Sequence, residues 1–291
     1  MGKELTRRDF LKILRLLLID FAILALGGVG YGVLVEPHLF RVETVRLELR
    51  RLPRVFSGLR VVQISDIHMG GWMNFDRFQH VADLISAEKP DLLLITGDFL
   101  LGNTFTDASK QAVNDLITVL SPLAKSIPSF GVLGNHDYWT DPEAVREMLL
   151  LCGIVDLTNT AFALTRAGEH LYLCGVDDVW EGDVHLEDVT AQLHKNSSAI
   201  LLAHEPDFAD TSSATEQFDL QVSGHSHGGQ VVVPFYGPPI LPFLGQKYPS
   251  GLSKVGNMFQ YTNRGLGMIR LAVRFNCPPE ITVFHLESEE S

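Results

Sequence analysis

The most constraining feature of this sequence is a short apolar run that ends directly in two polar side chains. The segment 59–68 reads LRVVQISDIH, and its β-branched apolar residues are typical of a strand covered on both faces. Asp66 and His68 follow that strand with one residue between them. Side chains at this spacing point the same way from an extended backbone, so they can hold one cation from one side. A single pair of this kind is nevertheless more typical of a turn residue and a half-exposed histidine.

The same arrangement recurs four more times along the chain. The apolar segments 91–97, 129–134, 199–203 and 220–223 lead into further candidate ligands, which are Asp98, then Asn135 with His136 and Asp137, then His204, and finally His225 with His227. Glycines at 97, 134 and 224 allow the backbone to turn tightly beside these side chains. One such coincidence carries little information, whereas five in one chain indicate a metal site.

The remaining pattern predicts an α/β domain. Helices are predicted at 75–88, 108–120, 142–151 and 186–194, and strands beside the ligand runs at 41–49, 160–165 and 170–176. The strand at 41–49 alternates apolar and charged residues, which indicates a sheet edge, and Pro122 is expected to end the second helix. The combination predicts two facing mixed β-sheets with helices outside.

The ligand runs taken together resemble the motif series of the calcineurin-like metallophosphoesterases. That series is Asp-x-His, Gly-Asp, Gly-Asn-His-Asp, a lone His and Gly-His-x-His, and this chain shows every member in order. The resemblance covers about 59–286 and implies a four-layer α/β/β/α sandwich. The closing segment 263–281 is similar to the tail of bacterial twin-arginine-exported or membrane-bound phosphodiesterases, a subgroup that includes enzymes similar to UDP-2,3-diacylglucosamine pyrophosphatases.

The resemblance implies a dinuclear metal centre, and the residue types agree with it. Histidine and carboxylate ligands without cysteine suit Mn, Fe or Zn, and seven ligands are too many for one ion. By resemblance, Asp98 bridges two divalent ions, the first held by Asp66, His68 and His227 and the second by Asn135, His204 and His225. A bridging hydroxide would then attack the phosphoryl group. His136 is expected to steady the transition state or to protonate the departing oxygen. Asp137 supports these ligands or is a plain turn residue.

One departure from the family pattern bears on the substrate. Protein phosphatases carry Gly-Asp-x-x-Asp-Arg, whereas Asp98 is followed here by Phe-Leu-Leu-Gly. A diester or a pyrophosphate is therefore favoured over a phosphoprotein. Arg264 is a candidate phosphate contact, with a structural role as the alternative. The loop 234–250 follows the segment with His227 and contains the apolar residues Phe243 and Leu244. Such a loop either contacts an apolar, lipid-linked substrate or packs on the edge of the sheet.

The first 35 residues predict a separate segment. Arg7 and Arg8 with the following apolar residues resemble a twin-arginine export signal, and 16–35 is close to the roughly 20 residues that span a bilayer. We expect an uncleaved signal or membrane anchor at 1–35 and a catalytic domain at 36–291. This implies the twin-arginine translocase and the membrane as partners, with the catalytic domain outside the cytoplasm. The alternative is a pyrophosphatase of lipid A synthesis on the cytoplasmic face.

The net charge and the complete set of candidate ligands argue against two classes of function, nucleic-acid binding and a metal-free scaffold. The net charge is −12, and the first 35 residues contribute +2 from five basic and three acidic side chains, which leaves −14 for the rest. Such an acidic body lacks the basic surface that nucleic acid requires, so no nucleic-acid partner is expected. A metal-free interaction scaffold of the same fold would have lost ligands, and this chain keeps all seven. A hydrolase is the favoured prediction.

Overall fold

The computed structural model describes residues 6–289; residues 1–5 of the predicted N-terminal segment and residues 290–291 of the predicted catalytic domain lie outside the described residues. The α-helices are α1 (Arg7–Leu34), α2 (Phe75–Ala87), α3 (Asp107–Ser126), α4 (Asn135–Thr140), α5 (Pro142–Cys152), α6 (Leu186–Ala191) and α7 (Ala209–Ser213). The strands are β1 (Arg41–Leu49), β2 (Leu59–Ile64), β3 (Leu92–Thr96), β4 (Ser129–Val132), β5 (Val155–Asp156), β6 (Thr160–Arg166), β7 (Glu169–Gly175), β8 (Ser198–Leu202), β9 (Leu220–Ser223), β10 (Gly251–Val255), β11 (Met258–Thr262) and β12 (Glu280–Ser288).

Within the described residues, the strands form two mixed sheets of six. The first sheet has the order β1-β12-β2-β3-β4-β5, and the second has the order β10-β11-β9-β8-β7-β6. The strands β2, β3 and β4 run parallel side by side in the first sheet, as β8 and β9 do in the second. The strand β1 lies at an edge and pairs with β12, which confirms the predicted edge strand.

Three apolar layers hold the sheets and helices together. Side chains of both sheets, among them Leu94 of β3 and Ile200 of β8, form a buried core between the sheets. A second core on the outer face of the first sheet includes Phe78 of α2 and Leu116 of α3. A third, on the outer face of the second sheet, includes Val189 of α6. The layers are therefore helix, sheet, sheet and helix, and the predicted pair of mixed sheets with flanking helices is confirmed.

The helix α3 differs from its predicted end. It continues through Pro122 to Ser126, although proline lacks the backbone N–H and costs about 3 kcal/mol inside a helix. Its side chains Leu116, Leu120 and Leu123 are buried in the outer core, and their burial at roughly 1.5 to 3 kcal/mol each offsets that cost. Packing therefore outweighs the local signal for a helix end.

The predicted N-terminal anchor helix is wrong. None of the helices formed by residues 6–289 combines the length and the apolar character that crossing a membrane requires. The prediction of a membrane-anchored catalytic domain fails with it. The twin-arginine interpretation of Arg7 and Arg8, which open α1, stays a prediction from the sequence.

The course of α1 gives a physical reason for this difference. Its last turns contact the rest of the chain: the backbone N–H of Arg274 donates to the carbonyl of Gly32 over 2.9 Å, and the rings of Tyr31 and Phe275 meet edge to face. Asp20 interrupts the apolar run upstream. Between Asp20 and this contact the helix rises only about 16 Å at 1.5 Å per residue, against a hydrocarbon core of about 30 Å.

Candidate metal centre

The seven predicted ligands lie at the carboxyl ends of five strands. Loops after β2, β3 and β4 of the first sheet carry Asp66, His68, Asp98 and Asn135, and loops after β8 and β9 of the second carry His204, His225 and His227. Because the carboxyl ends of parallel strands meet at one edge of a sheet, these loops converge. All seven side chains are buried. The two sheets thus bring their polar strand ends to one buried point.

One group of donors surrounds Asp66. The Nε2 atom of His227 lies 3.2 Å from Oδ1 of Asp66 and 3.0 Å from Nε2 of His68. Asp98 lies next to this group, with its Oδ2 atom 3.5 Å from Nε2 of His68. The ligand atoms of Asp66, His68 and His227 all lie within 4.8 Å of one another. These three residues are therefore close enough to share one ion.

A second group lies on the other side of Asp98. The Oδ2 atom of Asp98 is 3.3 Å from Nε2 of His204, whose ring meets that of His225 edge to face at 5.0 Å. The Nδ1 atom of His225 lies 2.9 Å from Oδ1 of Asn135. Asp98 thus lies between the His68 group and the His204 group, in the position that a bridging carboxylate would need.

The backbone at the site is strained. Asp66, His68, Asp98, His225 and His227 all have φ angles between 51° and 66°. Left-handed backbone costs side chains with a Cβ atom of the order of 1–3 kcal/mol each, and such residues cluster at functional sites. Five of the seven predicted ligands adopt it. The fold therefore stores several kcal/mol of strain to direct these side chains inward.

Two glycines make room for this arrangement. A Cβ atom at Gly134 would lie 2.7 Å from the backbone nitrogen of Asp98 and from Cε1 of His204. Gly265, with a φ angle of 73°, would place a Cβ atom 2.8 Å from Cβ of Asp66. No side chain fits at such distances, so both positions require glycine for close approach of the backbone.

Hydrogen bonds orient two of the imidazole rings. The Nδ1 atom of His204 lies 2.6 Å from the carbonyl of Thr96, and Nδ1 of His68 lies 3.4 Å from that of Leu100. An Nδ1–H donor toward a carbonyl leaves Nε2 as the lone-pair nitrogen that faces the centre. Within the described residues, the buried Nε2 atom of His204 makes no well-directed hydrogen bond. A buried nitrogen without a hydrogen-bond partner that faces the centre is suited to bind a metal ion.

Burial and close charges shift the pKa values of the ionisable groups at the centre. Burial raises the pKa of the Asp66 carboxyl to about 7 and lowers the pKa of the His68 imidazole to about 3. Burial also opposes charge on Asp98 and His204, but their mutual attraction outweighs it, which holds the pKa of Asp98 well below its usual range and that of His204 well above. Divalent ions bind deprotonated imidazoles and carboxylates, so an ion bound by His204 would displace the proton that Asp98 stabilises there. These residues therefore fit divalent metal ions.

His136 and Asp137 follow Asn135 in helix α4. The backbone N–H of His136 donates to Oδ1 of Asp98 over 2.9 Å, and its ring lies 4.7 Å from that of His68. Asp137 accepts hydrogen bonds from the backbone N–H groups of Gly134 and Leu100, both over 3.0 Å. Asp137 therefore ties the loop after β4 to the loop after β3, while His136 lies against the centre.

A cavity of about 650 Å³ opens beside the centre. It is lined by the candidate site residues Asp98, Asn135, His136, His225 and His227, and further by Leu101, Gly102, Asn103, Trp139, Trp180, Leu241, Pro242, Phe243, Ile269 and Arg270. The rings of Trp139 and Trp180 meet edge to face at 5.4 Å, and Trp180 meets Phe243 at 5.6 Å. An aromatic wall therefore flanks the point where the donors converge.

The candidate substrate contacts lie at different places. Phe243 lines the cavity and is 59% exposed, whereas Leu244 does not contribute to the lining and its carbonyl accepts from the N–H of Asp207. Arg264 forms ion pairs with Glu280 and, over 2.9 Å, with Glu43. It therefore has the partners of a structural arginine, the alternative that its sequence context left open.

The family profile described as calcineurin-like phosphoesterase matches residues 59–229, which is more than half of the chain. The chain belongs to this family. The matched segment begins with β2 and ends just after His227, so it contains all seven candidate ligands. Membership confirms the family resemblance and the prediction of a metal-dependent phosphoester hydrolase, whereas the twin-arginine-exported subgroup stays a prediction.

Relatives within the family match the chain over nearly its full length. It is 36% identical to the uncharacterized metallophosphoesterase YkuE of Bacillus subtilis, over 98% of this chain and 99% of that protein. It is 32% identical to the phosphodiesterase YaeI of Escherichia coli, over 89% and 93% respectively. A transmembrane protein with metallophosphoesterase domain of Danio rerio is 30% identical over 92% of this chain and 61% of that protein.

Sequence reasoning within this phosphoesterase did not find several residues around the centre. Trp139 stands three positions after His136 on α4, so helical spacing could have placed both on one face. Trp180 is far from every motif, and Arg270 lies in the closing segment 263–281, where no local signal distinguished it from the other arginines. Glu205, directly after His204, is buried and accepts from the N–H of Val179 over 3.0 Å, which holds the Trp180 segment near the cavity.

Proposed function

We propose that this phosphoesterase hydrolyses a phosphodiester or a pyrophosphate bond with the help of two divalent ions. The observation that carries the proposal is the convergence of seven buried donor side chains from five strand ends, with five of them on strained backbone. Strain of this extent at one point is costly for stability alone and is typical of pre-organised functional sites. The missing Asp-Arg pair after Asp98 favours a diester or pyrophosphate over a phosphoprotein.

The proposed ligand sets follow the two groups around Asp98. Asp66, His68 and His227 would hold one ion, and Asn135, His204 and His225 would hold the other, with Asp98 shared. Mn, Fe and Zn all suit these ligands. When bound, such a pair supplies Lewis-acid polarisation of the phosphoryl group and activation of the attacking water. The buried surroundings strengthen each electrostatic contact because they exclude bulk water.

We propose that His136 donates a proton to the oxygen of the leaving group. Its ring lines the cavity between the rings of His68 and Trp139, 4.7 Å from each, and its backbone N–H is held by Asp98. A positioned imidazole can donate a proton to the departing oxygen as a general acid. Helix α4 carries the ring, and the hydrogen bonds that Asp137 accepts from Gly134 and Leu100 hold the start of that helix beside the loop after β3.

Metal removal tests the proposal. The apo protein is expected to lose turnover of a diester panel that includes bis(p-nitrophenyl) phosphate, nucleotide sugars and phospholipids, and Mn²⁺ should restore it. Chelation should also lower the melting temperature by about 5 to 10 °C, since buried carboxylates lose their compensating cations. Turnover that persists after verified metal loss would refute the two-ion mechanism. Preferential cleavage of the nucleotide sugar would instead favour the diacylglucosamine pyrophosphatase alternative.

The aromatic wall supports a substrate with an apolar group. Trp180 is 39% exposed and Phe243 is 59% exposed, and both line the cavity together with Leu241. Large apolar side chains exposed side by side beside a catalytic centre are typical of an interaction surface. Burying such side chains against an acyl chain contributes roughly 1.5 to 3 kcal/mol each. We therefore propose a lipid-linked phosphodiester as the preferred substrate class.

Serine at both Leu241 and Phe243 is expected to lower kcat/KM for a lipid-linked phosphodiester about tenfold or more, because the apolar contact is lost. Turnover of bis(p-nitrophenyl) phosphate should change little. The matched control replaces Phe235 and Tyr236, which are exposed in the same loop but do not line the cavity, and it should leave both substrates unaffected. Equal losses on the two substrates in the Leu241 and Phe243 variant would mean that these residues only support the loop.

A further inference from the structure

Arg270 contributes a positive side chain to the lining of the cavity. Within the described part of the chain, no other lysine or arginine lines it, although the lining includes Asp98 and the protein carries a net charge of −12. Arg270 is exposed, and no ion pair to it is found among residues 6–289. Among these residues, the guanidinium of Arg270 therefore has no carboxylate partner that would neutralise it.

The backbone holds Arg270 in an unfavourable conformation. Its φ angle is 57°, a region that costs a long side chain of the order of 1–3 kcal/mol. Nothing in a turn at this place requires an arginine, and glycine or asparagine would adopt the same φ angle at lower cost. The backbone strain at Arg270 is therefore explained if this conformation is needed to place the guanidinium in the cavity.

Gln230 maintains this conformation. Its Oε1 atom accepts from the backbone N–H of Ile269 over 2.7 Å, and its Nε2 atom donates to the carbonyl of the same residue over 3.2 Å. The N–H of Gln230 itself donates to the carbonyl of His227 over 3.0 Å. This side chain therefore ties the residue before Arg270 to the loop that carries His227.

We propose that Arg270 binds the anionic oxygens of the substrate's phosphoryl group and that Gln230 is its positioning residue. The inference deepens the proposed function and rests on it for the identity of the substrate. A phosphodiester has two non-bridging oxygens, and the planar guanidinium fork matches two such acceptors with parallel hydrogen bonds. Arg264 is occupied by two carboxylates, so Arg270 is the arginine of this segment that is available to a phosphoryl group.

Inorganic phosphate is the probe, and its binding to the Mn²⁺-loaded protein is measured by calorimetry without any turnover. Arg270→Ala is expected to weaken phosphate binding about tenfold, and Arg270→Lys less, because an ammonium keeps the charge and loses the fork. Gln230→Ala should weaken it about threefold, with metal content unchanged. The matched control is Arg50→Ala, which removes an exposed arginine that lines a different cavity and should have no effect.

Turnover of bis(p-nitrophenyl) phosphate gives a second readout. The Arg270 variants should raise KM about tenfold with a smaller change in kcat, whereas a merely structural role would change the melting temperature and leave phosphate binding intact. Phosphate binding equal to wild type in Arg270→Ala, or absent from the metal-loaded wild type, overturns the inference. Wild-type protein that binds phosphate through Arg270 but cleaves no phosphoester would refute the proposed function while the binding role of Arg270 stands.

Discussion

Asp98→Asn is expected to reduce phosphodiester turnover by more than about 10⁴-fold, beyond the loss that removal of a general acid causes. The Oδ2 atom of Asp98 lies 3.5 Å from Nε2 of His68 and 3.3 Å from Nε2 of His204, so its charge serves both ligand groups. Two divalent ions about 4 Å apart repel each other by on the order of 16 kcal/mol at an effective dielectric constant of 20. A neutral amide between them cannot offset that repulsion. Steady-state turnover and metal content by mass spectrometry measure the effect.

His136→Ala provides the comparison for Asp98→Asn. Because His136 is proposed to act on the leaving group and is not among the proposed ligands, its loss should cost about 10² to 10⁴ in turnover with both ions retained. An Asp98→Asn protein that keeps two ions and a nearly native rate would contradict the dinuclear assignment. A substrate with a good leaving group should narrow the deficit of His136→Ala and leave that of Asp98→Asn unchanged.

Arg274→Met is expected to lower the free energy of unfolding by about 3 to 5 kcal/mol, a large effect for one side chain. Arg274 is fully buried, and its Nη1 and Nη2 atoms donate to the carbonyls of Arg264, Cys277, Gly265 and Gly267 over 2.6 to 3.2 Å. Methionine fills a similar volume but removes the guanidinium donors from all four carbonyls, and among residues 6–289 only that of Gly265 keeps another, the backbone N–H of Glu280 over 3.2 Å. Each buried carbonyl left without a donor costs about 1–3 kcal/mol before water or relaxation compensates. Denaturant unfolding followed by circular dichroism measures the loss.

The same variant should also weaken metal binding, because these carbonyls belong to the segment that covers Asp66. The N–H of Gly267 donates to the carbonyl of Asp66 over 2.7 Å, and that of Leu266 donates to the carbonyl of Ser65. Arg50→Met at the surface is the control and should change stability by no more than about 0.5 kcal/mol. If Arg274→Met unfolds like wild type, the network of four carbonyls has no net role in stability.

Local motifs were sufficient to single out the candidate ligands that the structure brings together, and to predict most of the strands. Each of these segments joins a short strand to the turn that follows it, and such a junction has few possible conformations. A segment such as 59–68 therefore predicts both the strand and the direction of the side chains at its end. The run of five such segments also identified the sandwich, because doubly covered strands interspersed with amphipathic helices pack in few ways. The ends of helices were less predictable, as the continuation of α3 through Pro122 shows.

The N-terminal segment shows the opposite case. Its hydrophobic composition indicated an anchor, but the contacts of Tyr31 and Gly32 with the segment around Arg274 are between residues more than 200 positions apart. A window of hydropathy contains no term for such contacts. The hydrophobic composition of this segment therefore predicted a membrane-spanning helix, which is not found among residues 6–289.

The sequence by itself determined the types and the order of the candidate ligands and the strands that carry them, because each strand and its candidate ligands lie within ten residues of one another. Only the tertiary structure decided which ligands share a group around Asp98, that five of them occupy left-handed backbone, and that Arg270 and Trp180 reach the same cavity. The burial that shifts the pKa of Asp66 to about 7 is likewise a property of the assembled sheets. The physical reason is that distance in space, dielectric surroundings and backbone strain arise when strands from two sheets meet, and no local run of residues encodes them alone.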